Sequence, residues 1–274
     1  MFKLALTAGH YMGTPGKRCL KSLDPNETRE WWLNDRIADY IETMLSEYAD
    51  VSILRTDDTT GQKEIELEDR VSAANKFDAD FYLSVHHNAG ADGTSAGGIV
   101  NYVYTSASTA SHEWSKELYN ELIKLTGLKG NRATPLATAN FYEVKYTNMP
   151  AVLLELGFMD SKTDVPVILT DNYAKKCAEA CVNIIVKRAK LSKKPTPAPT
   201  PVTPEPTPTP TPTPVTPEPT PAPAPTPVAP IVLEKGYKGD KASRLTNLLN
   251  LLGYSAGKAD ETFDEQTEMA VKKF

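Results

Sequence analysis

Histidine, cysteine and long apolar runs are all scarce in this chain, and each scarcity excludes something. The 274 residues contain three cysteines, Cys19, Cys177 and Cys181, an odd number without the spacing of a disulfide framework. Cys177 and Cys181 lie four apart in a stretch of helical pattern, so they share a face and read as buried thiols rather than a metal pair. No apolar run approaches the ~18 residues of a membrane span. The N-terminus carries one Lys, a short apolar run and no small-residue cleavage site, so it reads as a first strand and not as a signal peptide. An excess of positive charge is missing too. Lys and Arg number 30 against 35 Asp and Glu, a net charge of −5, and no basic face advertises nucleic acid. With four histidines, at 10, 86, 87 and 112, any histidine chemistry must be drawn from a short list.

Proline is abundant, but in one place. Residues 195–230 hold 17 of the 22 prolines, with Thr, Ala and Val between them, no Gly and two acids, Glu205 and Glu218. Proline cannot propagate helix or sheet, so this segment reads as extended polyproline II. At ~3.1 Å per residue it would reach roughly 110 Å if straight, the length of a semi-rigid tether. It separates residues 1–194, with 23 Lys and Arg against 26 Asp and Glu, from residues 231–274, with seven of each.

Within residues 1–194, short apolar runs alternate with stretches of helical period. Strands are expected at 2–8, 50–55, 81–85, 98–104 and 151–154, and helices at 29–47, 64–76, 110–126 and 171–190. In the first helix Trp32, Ile37, Tyr40, Ile41, Met44 and Leu45 form one stripe. This alternation predicts an α/β fold, a mostly parallel sheet with helices on both faces. Two long stretches, 11–28 and 127–150, lack clear period and are expected to be functional loops near the site.

The apolar runs stop at polar residues of one chemical kind. Residues 2–8 stop at Gly9-His10, residues 81–85 at His86-His87-Asn88, and residues 151–154 at Glu155, while Glu30 opens the first helix. In open α/β sheets ligands bind at the carboxyl ends of the strands. Two His and one Glu with an open fourth position make a catalytic zinc site, and a further carboxylate can take a proton from water. His86 and His87 are neighbours on a strand and point to opposite sides, so only one faces the crevice. Glu27, three residues before Glu30, is a rival for the second ligand. His112 sits in a polar helical stretch and reads as surface.

Residues 1–190 resemble the zinc-dependent N-acetylmuramoyl-L-alanine amidases of bacterial and phage cell-wall lysis. Gly9-His10 is similar to that family's first ligand motif, and Glu30-Trp31-Trp32-Leu33-Asn34 to its Glu-x-x-x-Asn segment. Arg70, Ala74-Asn75, Ala79-Asp80 and Ser84-Val85-His86-His87-Asn88-Ala89 follow its Arg, Ala-Asn, Ala-Asp and Ser-x-His-x-Asn-Ala order, and Glu155-Leu156-Gly157-Phe158 its Glu-x-Gly-Phe. The resemblance implies that His10, Glu30 and His86 bind Zn2+ and that Glu155 is the general base or transition-state stabiliser. It favours His86 over His87, and Glu30 over Glu27 because Asn34 follows at the family spacing. The loop after His10 departs from the family's Gly-Gly, reading Tyr-Met-Gly-Thr-Pro-Gly. Regulated members carry an inserted blocking helix; the segment from Tyr104 to Pro150 is too short for one, so the site is expected to be open.

Residues 231–274 resemble the peptidoglycan-binding-1 type of small all-α module, through Gly239-Asp240, Leu245, Leu248, Leu249-Asn250, Leu252-Gly253-Tyr254, Phe263 and Ala270 to Phe274. The pattern stops at Phe274, so a shortened module is expected. The resemblances together imply an autolysin or phage endolysin. Its expected partner is peptidoglycan, both stem peptide and muramic acid. With no signal-peptide pattern it is expected to be made in the cytoplasm and to act at the bacterial cell wall, released at lysis or secreted by another route. Two other readings stay open: a zinc peptidase cutting within peptidoglycan peptides, and a non-catalytic wall-binding protein.

Overall fold

The computed structural model describes residues 1–195 and, in the tail, residues 233–239, 241, 242, 245, 246, 249, 254, 256–258 and 262–273. The chain forms two compact units, Met1–Lys194 and Pro195–Phe274. Apart from Pro195, the expected Pro-Thr tether lies outside the described residues.

The first unit is built on β1 (Phe2–Ala8), β2 (Val51–Arg55), β3 (Phe81–Asn88), β4 (Ile99–Tyr104), β5 (Leu136–Ala139) and β6 (Ala151–Phe158). They form one sheet in the order β2-β1-β3-β6-β4-β5. β1, β2, β3 and β6 run parallel, and β4 runs antiparallel to β6. Only residues 89–98 separate β3 from β4. That is too short for a parallel crossover, so the chain turns back. The helices are α1 (Glu30–Leu45), α2 (Leu67–Phe77), α3 (Thr109–Thr126), α4 (Tyr142–Lys145), α5 (Val165–Ile168) and α6 (Asp171–Ala189).

Side-chain alternation divides each central strand between two cores. Leu4 and Leu6 of β1, Phe81, Leu83 and Val85 of β3, and Val152, Leu154 and Leu156 of β6 pack with α1, α3 and α6. Ala5, Tyr82, Ala151 and Leu153 point the other way and pack with Ala74 of α2 and Val144 of α4. The mostly parallel α/β sheet with helices on both faces is therefore the observed architecture. Among the described residues, no helix is long and apolar enough to cross a membrane.

Three details differ from the sequence expectation. β3 and β6 continue past their apolar runs, so His86 and Glu155 are strand residues and not strand ends. They are accommodated because they pair with each other across the sheet. The buried surface of α1 is wider than one stripe and is led by Trp31, Leu33, Ile37, Ala38, Ile41 and Leu45, because the helix lies between the sheet and α6. The stretch 127–150, expected to be loop, contains β5 and α4.

In the tail, α7 (Glu265–Lys273) follows a bridge between Lys238 and Thr262. Leu249, Ala256 and Ala270 form a small core with Leu245 and Tyr254.

Candidate metal centre

The site begins where β1 ends. Gly9 donates its N–H to Val85 O at 2.9 Å, so it still belongs to the sheet. A Cβ at Gly9 would lie 2.0 to 2.4 Å from the ring of His86, so only glycine lets that imidazole rest over the backbone here. His10 follows in the left-handed region with φ of 67°. Non-glycine residues there carry strain that their surroundings must hold. Arg70, 1% exposed, supplies that hold. It donates to Ala8 O at 2.8 Å, His10 O at 3.2 Å, Thr7 Oγ1 at 2.9 Å and Glu64 Oε1 at 2.9 Å. Asn34 completes the clamp by donating to Gly9 O at 3.1 Å.

Glu30 is the first residue of α1, fully buried, with its N–H bound to Lys17 O at 3.0 Å. One helical turn separates it from Asn34, which places both on the face that meets the end of β1. Glu30 Oε1 lies 3.4 Å from His10 Nε2 and 3.1 Å from His86 Nδ1. These three residues form a cluster whose ligand atoms all lie within 4.8 Å of one another. Glu30 Oε2 faces Lys17 Nζ at 3.5 Å.

Electrostatics in this cluster favour a cation. Burial alone would push the Glu30 carboxyl up, but His10 and His86 hold it well below the usual carboxylate range. Burial lowers His10, against the pull of Glu30. Burial would lower His86 as well, but the carboxylates of Glu143, Glu30 and Glu155 outweigh it and push the imidazole up to about 10. In the metal-free protein the proton therefore sits on His86.

His87 points to the opposite face. Its Nδ1 lies 2.7 Å from Asn34 Oδ1, and because the Asn34 amide nitrogen donates to Gly9, the imidazole is the donor. Burial pulls His87 down to about 3, so it stays neutral. His112 is exposed on α3. Glu27 pairs with Arg18 at 2.9 Å and Lys21 at 3.5 Å, outside the cluster. The three thiols are buried; burial pushes Cys19 and Cys181 up to about 12.

Glu155 on β6 pairs in register with His86 on the neighbouring strand, so both side chains project to one face of the sheet. Its Oε2 is buried without a hydrogen-bond partner among the described residues. Burial raises its carboxyl to about 7; His86 and Lys17 oppose that rise and Glu30 adds to it.

One further carboxylate joins them. Glu143 of α4 is 3% exposed and faces β3. It accepts from Tyr82 Oη at 2.7 Å and Ser84 Oγ at 3.3 Å, and its Oε2 lies 3.6 Å from His86 Nε2. Burial pushes its carboxyl up, but His86, Arg70 and Tyr82 hold it at about 2.

Residues 4–187 match the sequence model of the family described as N-acetylmuramoyl-L-alanine amidase. The chain belongs to the N-acetylmuramoyl-L-alanine amidase family. It is 30% identical over 196 residues to the sporulation-specific N-acetylmuramoyl-L-alanine amidase of Bacillus subtilis, 70% of each chain. It is also 30% identical over 159 residues to an endolysin of Bacillus phage SPP1, and this match spans 58% of each. The crystal structure of an N-acetylmuramoyl-L-alanine amidase from Clostridium difficile 630 superposes with a TM-score of 0.62 at 24% identity. That superposition covers 69% of this chain and 97% of the other and shows a shared fold.

Of the residues read from the sequence, the amidase fold brings His10, Glu30 and His86 into one cluster with Glu155 beside it. Glu143 escaped sequence reasoning. A lone Glu between Tyr142 and Val144 in an aperiodic stretch gives no local signal. The available signal was on β3, where Tyr82, Ser84 and His86 share one face of a buried strand and require a polar partner.

Proposed function

We propose that this chain is a zinc-dependent cell-wall amidase that cuts the amide between the lactyl group of N-acetylmuramic acid and the L-Ala of the stem peptide. The observation that carries this reading is the convergence of His10 Nε2, Glu30 Oε1 and His86 Nδ1 beside Glu155. Ligands 2.0–2.2 Å from a tetrahedral zinc stand about 3.3–3.6 Å apart. Of the two spacings here, 3.4 Å falls within that range and 3.1 Å lies just short of it. Two imidazoles and a carboxylate are also the donor set such an ion takes.

Zinc bound to these residues would polarise the scissile carbonyl and make water acidic enough to attack near neutral pH. Glu155 is the proton carrier. Its carboxyl, raised to about 7, is basic enough to take the proton of the attacking water and acidic enough to return it to the departing L-Ala amine. The products are the lactyl carboxylate and a free L-Ala N-terminus. His10, Glu30 and His86 hold the site; Arg70 and Asn34 hold the backbone that presents His10; His87 braces Asn34.

The tail is proposed to bind the wall as a small helical module and to keep the amidase near its substrate. Its apolar cluster around Leu249, Ala256 and Ala270 supports a folded unit. The site of action is the bacterial cell wall.

Chelation tests the metal. Treatment with a strong chelator should abolish release of L-Ala N-termini from purified wall, and added zinc should restore it. Full activity in chelator would sink the zinc reading. His86→Ala should lose zinc and activity together, while His87→Ala should keep zinc.

A further inference from the structure

We infer that Glu143 is a positioning residue for the metal centre: held by Tyr82 and Ser84, it accepts the Nε2–H of His86 and so turns Nδ1 toward the metal. The inference rests on His86 being a ligand and adds a residue that no motif marks.

A histidine that offers Nδ1 to a metal carries its proton on Nε2, and metal-bound imidazoles usually donate that proton to a carboxylate or carbonyl. Nδ1 of His86 is the nitrogen that faces Glu30 Oε1 at 3.1 Å. Nε2 is buried and has no hydrogen-bond partner within reach among the described residues. Glu143 Oε2 is 3.6 Å away, a few tenths of an ångström beyond a hydrogen bond. The ring cannot turn freely to find another partner, because it lies against Gly9.

The carboxylate is itself fixed. Tyr82, Ser84 and His86 stand at alternate positions of β3, so their side chains line up on one face. Tyr82 Oη holds Oε1 at 2.7 Å and Ser84 Oγ holds Oε2 at 3.3 Å. α4, which carries Glu143, is tied down from α2. Asn75 Nδ2 donates to Tyr146 O at 3.0 Å and Asn75 Oδ1 accepts from Asn148 N at 2.8 Å. A reacting carboxylate would need access to water and substrate. Glu143, 3% exposed with both oxygens engaged on β3, has neither.

The test uses the full chain with three variants, E143A, E143Q and Y82F. Zinc affinity is read by competition with a chromophoric chelator. The state of the His86 ring is read by 15N-resolved NMR of the imidazole, with and without zinc. E143A should weaken zinc by ~10–100-fold, the range found when such partners are removed, and should lose the hydrogen-bonded Nε2–H signal of His86. E143Q keeps an acceptor, so it should keep that signal and lose about tenfold or less. Y82F should fall between E143Q and wild type. If E143A does not fold, E143Q and Y82F decide, with melting of the metal-free proteins as the control for a purely structural role.

Unchanged zinc affinity and an unchanged His86 signal in the variants would overturn the inference. So would an E143Q protein that binds zinc normally but turns over as slowly as E155Q, because Glu143 would then be a reacting group. Neither readout depends on which bond is cut. Failure of the wild type to release L-Ala N-termini would strike the functional proposal and leave this one standing.

Discussion

His86 and His87 are adjacent in the chain and opposite in character. His86 lies among three carboxylates and attracts positive charge; His87 lies in the apolar layer under α1 and is kept neutral. This gives a signed expectation for stability. The ordinary imidazole value is 6.5 and burial lowers His87 to about 3, so the unfolded chain binds this proton more readily than the folded one. Its contribution is fully present above about pH 6.5 and is lost as pH falls toward 3, amounting to an order of 3–5 kcal/mol. Denaturant titrations of wild type and His87→Leu between pH 7 and 4 should show the steeper loss in wild type. Parallel slopes would contradict the assignment. Glu155 carries the residue-scale prediction for chemistry. Glu155→Gln keeps shape and removes the proposed base, so zinc should be retained while turnover falls by ~10²–10⁴. In wild type, turnover should fall as pH drops through the Glu155 titration, since the base acts only when ionised. The acid limb should vanish in the variant. The histidines proposed as ligands were visible in the sequence because a chain with four histidines places three of them beside apolar strands. Glu143 was not, because its partners lie on β3, some sixty positions away.

At the scale of elements, the ends of β1, β3 and β6 and the start of α1 do the positioning. Gly9 is the narrowest point. Gly9→Ala would drive a methyl group into the His86 ring, at a cost of roughly 1–3 kcal/mol for overpacking. It should weaken zinc more than it lowers the melting temperature of the metal-free protein, because the ring that must move belongs to a proposed ligand. Zinc affinity equal to wild type in that variant would remove Gly9 from the argument. The long strands and helices could be read from period alone, since each offers enough residues for a pattern to emerge. β5 and α4 could not. Each has four residues, and β5 is an edge strand whose positions alternate between exposed and half-buried. The continuation of β3 and β6 through His86 and Glu155 was hidden as well. An apolar run marks where a strand is buried, but the pairing of His86 with Glu155 carries the ladder further.

The whole molecule is an α/β enzyme unit of residues 1–194 followed by a separate tail. Proline content changes abruptly at residue 195, the position at which the second compact unit starts. Residues 1–194 carry a net charge of −3 and residues 231–274 none, so charge alone should not draw either to a polyanionic wall. Linking a binding module raises local concentration without new contacts in the enzyme. Residues 1–194 alone should therefore melt cooperatively and cleave soluble muropeptides at the full-chain rate, yet sediment with intact wall less and clear it more slowly. Equal sedimentation would remove the targeting role of the tail. The central claim is the bond that is cut, and digestion of purified peptidoglycan by the zinc-loaded full chain, followed by mass and end-group analysis, tests it most directly. The account predicts new L-Ala N-termini and glycan strands ending in free lactyl carboxylates, with peptides otherwise intact. New N-termini at any other stem-peptide or cross-bridge residue would contradict it.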